Sequence, residues 1–291
     1  MSPTAPIPRR FAVAAHPKID EAVSLSVEIA DYLAGRGVTA SRGVLQEESL
    51  VDELRRGSFD LLIALGGDGT MLRAGHLCAA SQVPILGINL GRFGFLTEVN
   101  PGQWQAVLER VLTGDYWIER RMMLRAEHQT ADGQEASVWQ VLNECVVGRG
   151  EVVRPVQLMA EIDGRHLTTY VADAIIAATP TGSTAYALAA GGPILPPTLR
   201  NILLVPVAPH LSLDRAVVLD EGSAVRLTVH TDHQATLSVD GHAPRRMRDG
   251  ESVLVRASEH SASFVRVQDP GYFYRNLTSR MNQNPSVGAE P

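Results

Sequence analysis

Apolar and polar positions change rhythm once along the chain, near residue 116. Ahead of it, short apolar runs alternate with stretches whose apolar residues recur every three or four positions. Those are the two patterns that separate a buried strand from an amphipathic helix. "RRFAVAAH" (9–16), "VTASRGV" (38–44), "FDLLIAL" (59–65) and "VPILGINL" (83–90) read as strands. "IDEAVSLSVEIADYLAGRG" (19–37), "EESLVDELRRG" (47–57), "TMLRAGHLCAA" (70–80) and "PGQWQAVLERVLTG" (101–114) read as helices, the last opened by Pro101 and closed by Gly114. This alternation predicts a parallel sheet covered on both faces, an α/β domain over residues 1–115.

Beyond residue 116 the segments shorten and turn β-branched or period-two, punctuated by "ADGQ", "IDGR", "LDEG" and "VDGH". The expectation is a β-rich, sandwich-like domain over residues 116–267. One stretch inside it breaks the pattern: "TPTGSTAYALAAGGPI" (179–194), rich in hydroxyls and small residues, with a helix expected from about Ser183. "GYFYRNLTSRMNQNP" (271–285) predicts a last short helix, and the final ten residues predict disorder.

Composition narrows the function. The 291 residues, 45% hydrophobic and 20% charged, suffice for one large core or two modest ones. No apolar stretch approaches the roughly 18 residues of a membrane helix, and "FAVAA" is too short for a signal core, so a cytoplasmic protein with no membrane partner is expected. A net charge of -6 without basic runs argues against nucleic acid. Cys78 and Cys145 lie too far apart to suggest a disulfide framework. Lys18 is the single lysine, which rules out a Walker phosphate loop and a lysine Schiff base elsewhere. Phosphate, if handled, must meet arginine, backbone amides, helix ends and metal.

Three stretches carry candidate chemistry. In "LLIALGGDGTMLRAG" (61–75), Asp68 stands among Gly66, Gly67 and Gly69, between an apolar strand and a helix expected to begin near Thr70. Strand ends of a parallel sheet collect ligands, and a glycine turn lets a phosphate approach the amides of a helix start. Asp68 could there accept a proton from a hydroxyl; the bland alternative is a helix cap. In "VLNECVVGR" (141–149), Glu144 beside Asn143 could accept from both hydroxyls of a ribose diol; the alternative is a β-bulge or edge contact. In the run after Asp173, Thr181, Ser183 and Thr184 offer hydroxyls and Tyr186 an aromatic face, against a tightly packed turn. His230 and His233 fit a solvated strand end better than a metal site, His210 a buried or hinge residue, and "RRMR" (245–248) a solvated edge.

Together, "GGDGT" (66–70), "NE" (143–144) and "TPTGSTAYALAAGGPI" occur in the order and at the separations of the NAD kinase family, which the chain resembles from about residue 10 to 277. "APHLSLDR" and the "VDGH" turn match as well. The resemblance implies an α/β N-terminal domain, a β-rich second domain with a dinucleotide site in the cleft between them, and a C-terminal segment (268–291) packed back on the first. It implies phosphorylation of the adenosine ribose 2′-hydroxyl of NAD by ATP, with Asp68 as general base, Gly69 beside it and Arg73 neutralising phosphate. It assigns Asn143 and Glu144 to the adenylate portion. Asp173, Thr181, Thr184, Ala185, Tyr186, Ala187, Leu188, Ala189, Phe95, Arg154 and His242 match further dinucleotide positions. Mg²⁺ or another divalent cation would arrive with ATP, polyphosphate is an alternative donor, and a homodimer or homotetramer is the expected assembly. Ala174 departs from the glycine usual after the aspartate, "LDRA" replaces the usual Arg-Pro, and His242 takes a place often held by glutamine.

Overall fold

The computed structural model describes residues 5–91, 94–152, 154–210, 213–275 and 277. The chain divides into two compact units, Met1–Arg120 with Ala262–Pro291, and Arg121–Ser261.

In the first unit, β1 (Arg10–Ala15), β2 (Thr39–Val44), β3 (Leu61–Gly66) and β4 (Ile85–Asn89) form a parallel sheet in the order β2-β1-β3-β4. Every residue of β3 and β4 is buried, as expected for strands with both faces covered. The helices are α1 (Asp20–Ala34), α2 (Glu48–Arg55), α3 (Asp68–Cys78) and α4 (Trp104–Leu112). α1 points Ala22, Leu25, Ile29 and Leu33 into the core, one stripe at helical spacing. Burying each of the larger three contributes about 1.5–3 kcal/mol. A 3₁₀ turn at Pro101–Gln103 leads into α4, so the proline sits one turn ahead of the helix proper. Residues 272–275 form a helical turn in this unit; Trp117 Nε1 donates to the Gln268 carbonyl at 2.7 Å and the Tyr272 hydroxyl to Glu119 at 2.9 Å. The final ten residues lie outside the described residues.

The second unit is antiparallel β. Its strands are β5 (Trp117–Gln129), β6 (Glu135–Val141), β7 (Glu144–Arg149), β8 (Val156–Ile162), β9 (Arg165–Ala172), β10 (Ala174–Ala178), β11 (Asn201–Val207), β12 (Val217–Asp220), β13 (Val225–His230), β14 (Ala235–Val239), β15 (Arg245–Met247) and β16 (Ser252–Arg266). The first residues of β5 and the last of β16 belong to the first unit. One sheet runs β12-β11-β10-β7-β14-β15; in the other, β16, β13, β8 and β9 are neighbours, and β5 pairs with β16 and β6. Val225, Leu227 and Val229 alternate inward from β13 to meet Cys145, Val147, Ile175 and Leu204 of the facing sheet in one core. That is the expected sandwich-like arrangement, built on period two.

β10 is buried on both faces. Its outward residues Ile176 and Ala178 are covered by Ala187, with Ala190 and Leu195 packed alongside. The helix expected from Ser183 is much shorter than its composition suggests. A 3₁₀ turn covers Gly182–Thr184, Ala185 breaks it at φ -102°, ψ -128°, and α5 (Tyr186–Ala189) is a single turn. Gly191 at φ +83° then turns the chain away.

Candidate functional site

β3 delivers the chain to the first candidate. α3 starts two residues earlier than expected: Gly67 takes the capping place, its carbonyl accepting from Thr70 at 2.9 Å and Met71 at 3.2 Å, and Asp68 is the first helical residue. Gly67 has no side chain to cap the helix, and the Asp68 carboxylate does not turn back on it. Instead Oδ2 accepts from the Phe95 amide at 2.8 Å and Oδ1 from the Leu96 amide at 3.1 Å, from a loop 27 residues onward. Gly94 makes this possible, since a Cβ there would overlap the Asp68 carboxylate. The helix start adds a favourable dipole for the charge.

A cavity of about 410 Å³ adjoins this helix start, lined among others by His16, Gln46, Gly67, Gly69, Thr70 and Arg73. Asp68 is half-buried, while Gly69 and Arg73 are exposed. Thr70 Oγ1 and Asn89 Oδ1 are buried without a hydrogen-bond partner. Each such orphan costs about 1–3 kcal/mol, a demand that a polar ligand or water could meet.

The second unit builds the other candidate around a carboxylate pair. Asp240, at φ +47° in the "VDGH" turn, accepts from the amides of Leu142, Asn143 and Glu144 at 2.6, 2.8 and 2.9 Å. Three amides on one carboxylate fix the Asn143–Glu144 dipeptide. Glu144 is 9% exposed and its Oε2 has no partner. Burial, and then the negative Asp240, push its pKa up to about 7, against the backbone hydrogen bond from Tyr186.

The 179–189 run packs directly on this dipeptide. Thr179 donates its amide to the Asn143 carbonyl at 2.9 Å and its hydroxyl to that of Leu142 at 2.6 Å. A Cβ on Gly182 would overlap the Asn143 carbonyl, so glycine is required there. Thr181 is buried and accepts from Arg121 Nη1 at 3.2 Å; Thr184 donates to the Thr181 carbonyl at 3.1 Å. Ser183 is fully buried and bridges the Pro180 carbonyl (2.7 Å) and the Leu195 amide (3.0 Å), so its hydroxyl is structural. Tyr186 and Ala189 are exposed, Ala185 and Leu188 half-buried, and the Ala187 methyl belongs to the core.

The remaining candidates scatter. Asp173 precedes β10 and pairs with Arg149 at 3.2 Å. Ala174 has room for its methyl because Gly148 lies opposite; a Cβ on Gly148 would stand 2.7 Å from that of Ala174. His242 is exposed, with Nδ1 2.9 Å from the Val239 carbonyl. The Phe95 ring lies 6.4 Å from that of Phe273. Arg154 is exposed, 3.6 Å from Asp232, and lines a different cavity with His230 and His233. His210 is exposed rather than buried, its amide donating to the Val171 carbonyl at 2.7 Å. Among the described residues no group of three His, Cys, Asp or Glu side chains could hold a metal ion. Cys78 and Cys145 are free and buried, and burial raises both thiol pKa values, that of Cys78 to about 12. Among the described residues, no helix is long and apolar enough to cross a membrane.

Sequence reading missed Gly94 and Asp240. Gly94 lies in "GRFGFL", a glycine-punctuated loop with no chemistry of its own, and Asp240 reads as an ordinary turn aspartate.

Similarity to known proteins extends over both halves of the chain. A family model for the ATP-NAD kinase N-terminal domain matches residues 11–116, and one for the ATP-NAD kinase C-terminal domain matches residues 142–267. A NAD kinase of Chloroflexus aurantiacus is 41% identical over 275 residues, 94% of this chain and 99% of that one. A NAD kinase of Dehalococcoides mccartyi is 36% identical over 277 residues, 95% of this chain and 97% of that one. Among solved structures, an NAD kinase from Archaeoglobus fulgidus in complex with ATP has a TM-score of 0.74 at 27% identity, covering 94% of this chain and 98% of its own. Yeast NADH kinase complexed with NADH shares the fold, with a TM-score of 0.81 at 24% identity, covering 97% and 89%.

Proposed function

The chain belongs to the NAD kinase family, and from that premise we propose how its own residues phosphorylate NAD to NADP at the expense of ATP. The family is one of phosphotransferases with an alcohol acceptor. In this reading Asp68 takes the proton of the adenosine ribose 2′-hydroxyl as that oxygen attacks the γ-phosphorus. The bond from γ-phosphorus to the β–γ bridging oxygen breaks, and ADP departs. A carboxylate has about four lone-pair sites. The Phe95 and Leu96 amides occupy two, so Asp68 is held and still able to accept.

Phosphoryl transfer asks chiefly for positioning and charge neutralisation. Gly69 leaves the helix-start amides open to phosphate, and exposed Arg73 supplies positive charge on the same cavity. Mg²⁺ or another divalent cation is part of the nucleotide substrate, brought in on its phosphates. Asn143 and Glu144 hold the adenylate portion, the orphan Glu144 Oε2 waiting for a hydroxyl donor. Asp173, Thr181, Thr184, Ala185, Tyr186, Leu188, Ala189, His242 and Phe95 complete the proposed dinucleotide contacts; Ala187 lies in the core and Arg154 lines a different cavity. A homodimer or homotetramer in the cytoplasm is the matching assembly and compartment.

The observation that carries this reading is the Asp68 carboxylate, half-buried at a helix start whose Gly67 and Gly69 line the cavity, and tethered by a distant loop rather than by its own helix. Purified protein incubated with ATP, Mg²⁺ and NAD, with NADP detected by a coupled dehydrogenase, is expected to turn over. A dinucleotide sensor, or a lipid or sugar kinase, would give no NADP. Replacing ATP by polyphosphate in the same assay identifies the donor. Asp68→Asn should lose about 10²–10⁴-fold in kcat while still binding NAD; near-normal turnover would remove the base assignment.

A further inference from the structure

The loop that tethers Asp68 is itself anchored by a buried charge cluster. Arg266, at the end of β16, is 1% exposed. Its Nη1 donates to the Leu96 carbonyl at 3.1 Å, so one residue is gripped by Arg266 through its carbonyl and grips Asp68 through its amide. Arg266 Nε donates to Glu119 Oε2 at 2.8 Å, and Nη1 lies 3.5 Å from Glu98 Oε2. Glu98 Oε1 accepts the amides of Val267 and Gln268 at 3.1 and 2.7 Å. The Tyr272 hydroxyl closes the cluster on Glu119.

All four charged or phenolic side chains are at least 96% buried. Burial pulls the guanidinium pKa down, and Glu119 above all, with Tyr272 and Glu98, more than offsets it, so the net direction is up. Such a cluster is often no more stabilising than apolar residues of the same volume. What it does supply is direction, because a guanidinium fork has fixed angles.

We propose that Arg266 is a positioning residue for the phosphoryl transfer, acting through Leu96 to hold Asp68 in the orientation that receives the hydroxyl proton. The inference rests on the reading of Asp68 as base. The cluster fixes the Leu96 carbonyl, which fixes the direction of the flanking amides, and those amides orient the carboxylate. Residues 266–272 are thus a brace for a residue nearly 200 positions earlier.

Arg266→Lys keeps one charge in the cluster but replaces the fixed two-nitrogen fork that serves the Leu96 carbonyl and Glu119 by a single ammonium. Its comparison is Leu54→Ala, a fully buried α2 residue outside the cluster that lowers stability by another route. Arg266→Lys is expected to lose about tenfold to a hundredfold in kcat, with KM for NAD and ATP within about twofold. Hydrogen exchange at the Phe95 and Leu96 amides should be faster than in Leu54→Ala. Exchange and kcat no different from Leu54→Ala overturn the proposal. Faster exchange with unchanged kcat also overturns the proposal, while Asp68→Asn reports separately on the base. Should Arg266→Lys not fold, Tyr272→Phe withdraws one hydrogen bond from Glu119. It is expected to show the same pattern at about a fewfold loss in kcat, and matching Leu54→Ala again overturns the proposal.

Discussion

The two units each place a carboxylate at a candidate site, and they treat it in opposite ways. In the first, the proposed base is the tethered carboxylate: Asp68 has an amide on each oxygen. In the second, the tethered carboxylate is the support. Asp240 takes three amides, and Glu144 beside it is buried with an oxygen left over. A carboxylate that accepts from fixed amides is held in one direction. A buried anion with an unfilled lone pair is a standing demand for a hydroxyl. The first arrangement suits a group that must stay aimed while a proton moves, and the second a group that recognises.

That contrast can be broken at either end. Gly94→Ala forces a methyl into the Asp68 carboxylate and should have the larger effect of these two ends, about a hundredfold loss in kcat, with NAD affinity nearly unchanged in equilibrium binding. Equal losses in kcat and affinity would mean that the loop serves binding. Asp240→Asn places amide hydrogens against backbone N–H groups, and should cost about 2–4 kcal/mol in urea unfolding and weaken NAD binding while sparing kcat for bound substrate. Loss confined to kcat would reverse the roles assigned to the two units.

The smallest effect is the most specific. Glu144 keeps its proton to about pH 7 when folded and releases it near 4.5 when unfolded. The folded state therefore binds the extra proton in that window, and stability falls as pH rises through it, with the full penalty above. Glu144→Gln should be more stable than the parent at pH 8, by on the order of 1–3 kcal/mol, and no more stable at pH 4. Hydroxyl donors favour the ionised form, so NAD should bind about tenfold more tightly at pH 8 than at pH 6. That dependence should vanish in Glu144→Gln, and a flat profile in the parent would detach Glu144 from the dinucleotide.

Local patterns foretold the layers because period and burial are local. The four parallel strands, their helices and the sandwich-like β unit all follow from apolar spacing, and Asp68 and Glu144 stood out as charges against apolar runs. What escaped notice depends on distance along the chain. Nothing in "GRFGFL" announces that its amides reach Asp68, and nothing in "VDGH" announces that Asp240 reaches back some 97 residues to Asn143. Glu98 in "FLTEV" and Arg266 in "SFVRV" were legible as charges inside apolar segments, yet a lone charge does not name its partner. The helix expected from Ser183 is shortened and broken at Ala185, in a stretch where Gly182 crowds the Asn143 carbonyl and the Ser183 hydroxyl bonds Leu195.

Both native thiols lie sealed in the interior, the sulfhydryl protons held on by burial. A maleimide, which needs an accessible thiolate, should pass them by. Cysteines introduced at exposed Val23 and Leu199, one in each unit, could therefore carry a fluorophore pair in the otherwise unaltered protein. Nucleotide-driven changes in spacing could then be followed in solution without first removing the natural cysteines.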